Sequence, residues 1–373
     1  MASLEAEAVF SGIVIDGSRG EGGGQMLRLG MALSMMFGIT LKFVNIRQGR
    51  PTSGLSAQHL EVVNTFQRLG ATVLVALPND HSAEEPAEVQ VGTTGFTFIP
   101  PGELQIPEQM EVNIGTAGSL TLLLQALLPV IVSAQKSVEL TLIGGTDVSF
   151  SPPFDYFREV LLSYISRMGI EVETRIESRG FYPRGGGRVV IMVNPVSDVY
   201  GLHVGPHEGL RKVSTSLTVK GEIERLEEVI EAAGRFSSQV KRSHTPFHNK
   251  KDRKRKTICV QITGHPRSET GNMVSHNFLS DQIELVKSWV EEMSGSVLID
   301  SEVVDEHSAD QLIIFCVIAL KFHRQVSRFK CAKEMSSQHF ETVIEIVHQV
   351  LPDVQIMKTE REYGFDISVE YRN

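Results

Sequence analysis

The stretch from Ala8 to Phe37, AVFSGIVIDGSRGEGGGQMLRLGMALSMMF, sets a pattern that returns twice more along the chain. Alternating apolar residues over Ala8–Asp16 predict a strand. The turn Gly20-Glu21-Gly22-Gly23-Gly24-Gln25 follows, and apolar spacing over Met26–Phe37 predicts a helix. Successive glycines let backbone N–H groups converge on an anion, and the helix N-terminus behind them adds its dipole. A carboxylate at Glu21 would repel a phosphate there unless a divalent cation lay between them. The segment reads equally well as a tight turn with a solvated Glu. Strand, glycine-bearing turn and amphipathic helix recur around Gly115–Gly118 and around Gly144–Tyr156.

Working outward, strands are predicted at Leu41–Arg47, Thr72–Ala76, Ala87–Gly92, Phe96–Ile99, Ser137–Ile143, Ile170–Ile176 and Gly187–Val193. Helices are predicted at Gln58–Leu69, Gly115–Val132 and Asp155–Met168. Helices interleaved with strand pairs give an α+β layout rather than a strict βαβ alternation. The character changes near Pro195–Gly209, and from there to about Gly295 the chain is more polar. We expect a smaller domain over residues 198–295, inserted into a larger one made of 1–197 and 296–373. The insert carries the basic run Lys250 to Lys256, which reads as a solvated loop or, functionally, as a nuclear-import signal or an auxiliary RNA contact. It leans the expected location toward the nucleus over the cytoplasm. Helices at Asp305–Lys321 and Ser337–Leu351 and a strand at Phe365–Tyr371 complete the chain.

Composition narrows the function. The chain has 373 residues, 41% hydrophobic and 22% charged, enough for two cores. Its longest apolar runs, Leu122–Ser133 and Leu312–Leu320, fall short of the roughly 20 residues of a membrane span and read as buried helices. Three cysteines, Cys259, Cys316 and Cys331, suggest neither a disulfide framework nor a zinc site, so a reducing intracellular setting is expected. A net charge of −9 argues against a protein that coats nucleic acid by bulk electrostatics and points to any RNA contact being a local one.

Several polar groups could carry chemistry. Arg47 and Arg50 flank Gly49 in a loop after a strand, and with Arg28, Gln58 and His59 they could bind phosphate or form surface ion pairs. Asp305, His307 and Asp310 open an apolar helix, where acidic residues complement the dipole; their spacing as metal ligands is not diagnostic. His339 follows Ser336-Ser337-Gln338 at another helix start, where positive partial charge disfavours the imidazolium. A neutral imidazole is what a nucleophile at phosphorus needs.

Taken together, these segments resemble the RNA 3'-terminal phosphate cyclase family. The matching pieces are Glu21-Gly-Gly-Gly-Gln-Met-Leu-Arg28, Ile46-Arg-Gln-Gly-Arg50 with Gln58-His59-Leu60, and Thr116-Ala-Gly-Ser119 through Gln125. Further on come Gly144-Gly-Thr146, Pro152 to Tyr156, Arg179-Gly-Phe-Tyr-Pro183 with Gly185-Gly-Gly187, and Asp305-Glu306 with Asp310-Gln311-Leu312. The resemblance implies three repeats, each of two helices on a four-stranded sheet, with a smaller α/β domain inserted. It implies an ATP-dependent reaction that turns an RNA 3'-phosphate into a 2',3'-cyclic phosphate. A histidine takes AMP from ATP, AMP passes to the RNA 3'-phosphate, and the neighbouring 2'-OH closes the ring.

Carried over by position, the nucleophile falls on His339, with Thr342 one turn on also matching. Contacts to the adenylate fall on Gln125, Pro152, Asp310, Gln311 and, facing the adenine, His307. Glu21 would hold a divalent metal, Mg or Mn, and Arg28, Arg47, Arg50, Gln58 and His59 would bind the triphosphate or the RNA end. The sequence departs from the family at His307, where a tyrosine is usual, and at Ser53, where a proline is typical. The segment before His339 is also longer and more basic.

Two other readings compete. A non-catalytic cyclase-like RNA-binding protein of ribosome biogenesis would lack the nucleophile and the adenylate contacts, whereas Glu21, Arg28, Gln125 and His339 are present here. An enolpyruvyl transferase of similar repeats would need a lysine and arginine set that is not evident.

Overall fold

The structure is a computed structural model that describes residues 12–20, 22–77, 80–204, 210–245, 256–267, 274–296, 303–332, 338–362 and 364–372. The first layer runs β1 (Ile13–Asp16), α1 (Gln25–Phe37), β2 (Leu41–Val44), α2 (Ala57–Arg68), β3 (Thr72–Leu77), β4 (Asp80–Pro86) and β5 (Phe96–Ile99). Its strands lie in the order β1-β2-β5-β3-β4, with β1 parallel to β2 and the other pairs antiparallel. Helix α1 stops at Gly38, whose φ of 69° needs a glycine and lets its N–H bond Ser34 O at 2.9 Å. Ala87–Gly92 is a loop, not the expected strand. Thr93 N–H bonds Gln90 O at 3.1 Å and closes a turn there. The alternation that suggested a strand would set Val89 and Val91 on one face, but Val89 is buried and Val91 is 56% exposed, so that face is not covered as a whole. The sheet's extra strand is β4, hydrogen-bonded to β3.

The second layer runs β6 (Gln109–Asn113), α3 (Leu120–Ser133), β7 (Val138–Gly144), α4 (Phe154–Tyr156), a π-helical turn (Phe157–Leu161), α5 (Leu162–Arg167), β8 (Val172–Ser178) and β9 (Gly187–Val193). Strand order is β6-β7-β9-β8, with only β6 and β7 parallel. Helix α3 begins five residues later than Gly115. Ser119 Oγ accepts from Leu122 N–H at 3.3 Å as its cap, and the glycines form the turn before it.

Next come β10 (Leu210–Lys220), α6 (Leu226–Gly234), β11 (Gln239–Thr245), β12 (Thr257–Pro266), β13 (Val274–Ser280) and α7 (Ile283–Ser296). They have their own core around Leu217, Val229, Val260 and Val286, and their strands lie in the order β11-β10-β12-β13. The last layer is α8 (Glu306–His323), β14 (Ser327–Ala332), α9 (Gln338–Val350), β15 (Val354–Arg361) and β16 (Gly364–Tyr371). Its order is β14-β16-β15, all antiparallel. Along the other edge of β14, His203 bridges Arg328 and Val304 bridges Cys331, both in the parallel sense.

The first, second and last layers share one hydrophobic core. Helices α1, α3 and α8 are buried along most of their length, α1 packing on α3 and α9 and α8 on both as well. Among the described residues, no helix is long and apolar enough to cross a membrane.

Behind α4 a buried cation ties two loops together. Arg179 Nη2 lies 2.7 Å from Asp155 Oδ2 and Nη1 lies 3.3 Å from Asp147 Oδ1, while Thr146 Oγ1 donates to Asp147 Oδ2 at 2.7 Å. Burial pushes Asp147 up from the usual carboxylate range, and the Arg179 charge offsets part of that. Removing one partner of a buried pair strands the other charge. Arg179→Met should therefore lower unfolding stability by about 3–5 kcal/mol in a urea titration. Arg188→Met, which removes exposed ion pairs to Glu111 and Glu177, should leave the midpoint unchanged.

Candidate active site

A cavity of about 1080 Å³ opens where the N-terminal ends of five helices meet. Helix α1 brings Gln25 and Arg28 to it, α2 brings Gln58 and His59, and α3 brings Gln125. His307, Asp310 and Gln311 come from α8, and His339 from the first turn of α9. The loop after β2 adds Arg47 and Arg50, and the loop before α4 adds Pro152. Apart from Asp305 and Thr342, each expected site residue among the described ones thus lines a single cavity. Glu21, Ser336, Ser337 and residues 250–255 of the basic run lie outside the described residues. No group of three or more His, Cys, Asp or Glu side chains is placed to hold a metal among the described residues.

The cavity is built for anions. Helix N-termini present unpaired N–H groups and positive partial charge, and three arginines stand among them. Arg28 is buried, and its Nε donates to Gln125 Oε1 at 3.0 Å. Arg47 sits at φ 53° in its loop, donating from Nη1 to Gly54 O at 3.1 Å. Burial lowers its pKa, and the neighbouring Arg50 lowers it further. Gln58 Oε1 accepts from Ser119 N–H at 2.9 Å and so fastens α2 to the start of α3.

His59 is held neutral. Burial, then the charges of Arg28 and Arg47, depress its pKa to about 3. Its ring belongs to a capping box with Ser56, whose Oγ lies 2.9 Å from Nδ1. Ser56 Oγ also accepts from the His59 backbone, and the Ser56 N–H faces Nδ1 at 3.4 Å. Nδ1 is therefore the acceptor, and the ring proton sits on Nε2. That Nε2 points at Gly24, where a Cβ would fall 1.8 Å away, so only glycine admits the ring. His59 can donate one neutral hydrogen bond to an anion without titrating.

A second chain of groups was not visible in the sequence. Gln25 Nε2 donates to Asp310 Oδ2 at 2.7 Å, and Gln25 Oε1 lies 3.0 Å from His339 Nδ1. An ionised carboxylate can only accept, so the Gln25 amide must face Asp310 with its NH₂ and His339 with its oxygen. His339 Nδ1 then carries the proton, and Nε2 keeps the lone pair. Gln25 directly follows the glycine turn, which is the one local signal that could have marked it. Its partners lie 285 and 314 residues away.

Asp305, possible as a metal ligand from sequence, serves as the N-cap of α8 instead. It accepts from the N–H groups of His307 and Ser308 at 2.9 and 3.0 Å and from the buried Tyr156 hydroxyl. The His307 ring packs edge-on against Tyr156, with ring centroids 6.1 Å apart. Gln311 Nε2 turns back to His307 O. Thr342 Oγ1 donates to Gln338 O at 2.6 Å and abuts Gly20, so it braces the start of α9 against the glycine turn.

Although Asp310 keeps some exposed surface, the protein packed around its carboxyl pushes its pKa up to about 6, with His339 and His307 next to it acting in the opposite direction. A raised carboxylate stabilises the fold below its unfolded pKa and loses that contribution as pH rises through the folded value. Asp310→Asn should therefore raise stability at pH 8 by on the order of 1–2 kcal/mol, allowing for screening by cavity water. Unfolding titrations at pH 8 and at pH 4 check this, because the gain should vanish at the lower pH.

A family profile described as RNA 3'-terminal phosphate cyclase matches residues 19–356. An RNA 3'-terminal phosphate cyclase of the bacterium Nitrosospira multiformis is 33% identical over 349 residues, 91% of each chain. One from the archaeon Pyrococcus furiosus is 46% identical over 202 residues, 54% of this chain and 55% of the relative. One from Thermococcus kodakarensis is 39% identical over 246 residues, 63% of this chain and 67% of the relative. The chain thus spans about half the length of the Pyrococcus relative that it matches. These relatives come from cells without a nucleus and lend no support to a nuclear location. With the profile covering most of the sequence and one relative matched nearly end to end, the chain belongs to the RNA 3'-terminal phosphate cyclase family.

Proposed function

We propose that this protein is an ATP-dependent enzyme that converts an RNA 3'-phosphate end to a 2',3'-cyclic phosphate through an adenylyl-histidine. The observation that carries the reading is the Asp310–Gln25–His339 chain of hydrogen bonds. It sets one lone pair, on Nε2 of His339, at the rim of a cavity lined by three arginines.

Nε2 of His339 attacks the α-phosphorus of ATP, the bond to pyrophosphate breaks, and AMP is left on the ring nitrogen. Nδ1–H keeps its bond to Gln25 and shares the positive charge that develops on the imidazole. An oxygen of the RNA 3'-phosphate then attacks the AMP phosphorus and the N–P bond breaks, returning the lone pair to Nε2. Finally the 2'-OH attacks the activated 3'-phosphorus with loss of its proton and AMP departs. A phosphate oxygen leaves poorly until AMP is attached to it. The 2'-OH already stands beside its target, so proximity supplies much of the last step.

Arg28, Arg47, Arg50 and the His59 Nε2–H suit phosphate oxygens. Gln125, Pro152, His307 and Gln311 would meet the adenylate, His307 offering a smaller stacking face than the tyrosine usual in the family. A divalent cation would supply charge neutralisation at the phosphates, with Glu21 as its expected ligand.

We also read the first, second and last layers as copies of one unit of two helices on a four-stranded sheet. Each has a parallel outer pair followed by two antiparallel strands, with β4 added at the edge of the first, if His203 and Val304 are counted as halves of one strand beside β14. Their bridge partners sit three residues apart on β14, so the segment between them is an insertion into that strand.

His339→Ala should abolish label transfer from α-labelled ATP to the protein, while His307→Ala should retain part of it. The opposite pattern would refute the assignment. Gln25→Leu leaves His339 in place but frees its tautomer. It should slow label transfer on the order of a hundredfold, with unchanged rates counting against the relay.

A further inference from the structure

Two exposed aromatic rings stand at the mouth of the cavity. Phe150 is 103% and Tyr182 65% exposed, although both line the cavity. Their loops are rigid at the base. Asp147 pairs with Phe181 in a bridge, Thr146 N–H bonds Gly180 O at 2.9 Å, and Arg179 clamps Asp147 and Asp155 from beneath. The tips are tight as well. Ser151 Oγ donates to Val148 O at 3.1 Å, and Gly185 N–H bonds Phe181 O at 2.8 Å. Phe150 adopts φ 63°, a backbone region that a bulky L-residue rarely enters. A residue held there with its ring in water gains nothing from burial, and such strain persists where a ligand uses the presented group. Beside Tyr182, Arg184 is exposed in the same loop.

We infer that Phe150 and Tyr182 form a stacking platform for RNA bases that precede the terminal nucleotide, with Arg184 placed for a phosphodiester of the same stretch. This rests on the cyclase reading of the cavity. Size and direction favour RNA over the adenine of ATP. A nucleotide fits within about 1080 Å³, whereas a polymer can place only its end inside and must cross the rim. Base faces stack on exposed aromatics whatever their sequence, which suits an enzyme that recognises a chemical end. A net charge of −9 also leaves little bulk attraction for RNA, so a short platform of stacking and one cation would carry the grip beyond the terminal phosphate.

The test uses the full chain and a short 3'-phosphorylated RNA labelled at its 5' end, followed by fluorescence anisotropy. Phe150→Ala and Tyr182→Ala should each weaken binding by on the order of tenfold, and Phe150→Trp should restore it. An abasic residue upstream of the terminal nucleotide should weaken wild-type binding to the same degree and add little to the alanine variants. The KM for ATP in RNA-free label transfer should stay at the wild-type value in each variant. Unchanged RNA affinity in both alanine variants would overturn the platform. So would a raised KM for ATP, which would give the rings to adenine. Absence of label transfer in the wild type would instead count against the cyclase reading, while the anisotropy comparison would still report on the platform.

Discussion

The site depends on how three helices that are apolar nearly all round are buried. α1, α3 and α8 leave no long polar face for water, so they pack on one another and on α9, and their polar side chains gather where each helix begins. Gln25, Arg28, Gln125, His307, Asp310 and Gln311 all fall within the first two turns of their helices. Bringing those starts together makes a polar cavity at the edge of a hydrophobic core, and aligned peptide dipoles charge it positively before any arginine is counted. Core packing and anion binding are one arrangement seen from two ends.

This arrangement reconciles an acidic protein with a phosphate-rich ligand. The net charge of −9 is spread over the chain, while the cavity concentrates Arg28, Arg47 and Arg50 against helix starts. Burial disfavours protonation of His59, and the charges of Arg28 and Arg47 add to that. The ring therefore contributes a directed N–H without adding charge, and its hydrogen bonding does not vary across physiological pH.

Much of the fold was legible because period and punctuation agreed. Phe96–Ile99 and Gly187–Val193 coincide with strands, and Met26–Phe37 with all but one residue of α1. Gln109–Asn113 escaped because four of its five residues are polar or a lone Met on an edge with one buried position, Val112. Ser327–Ala332 was readable in principle. Ser327, Phe329 and Cys331 are buried with Arg328 exposed between them, but its two basic residues masked the alternation. Ala87–Gly92 shows the converse, an alternating pattern whose one apolar face is only partly covered, with Val89 buried and Val91 exposed. Of the site, the arginines and His339 could be picked out through the family resemblance. Gln25 could not, since an amide beside a glycine turn has no chemistry until Asp310 and His339 are brought to either side of it.

That amide joins the carboxylate to the imidazole through a hydrogen bond at each of its ends, and so passes on to His339 the orientation that Asp310 imposes. Raised to about 6, Asp310 is still ionised at neutral pH, so it accepts only, and the amide cannot flip without losing a bond. Under the proposed reaction, a carboxylate that costs the fold stability is what commits Nε2 of His339 to being the nucleophile.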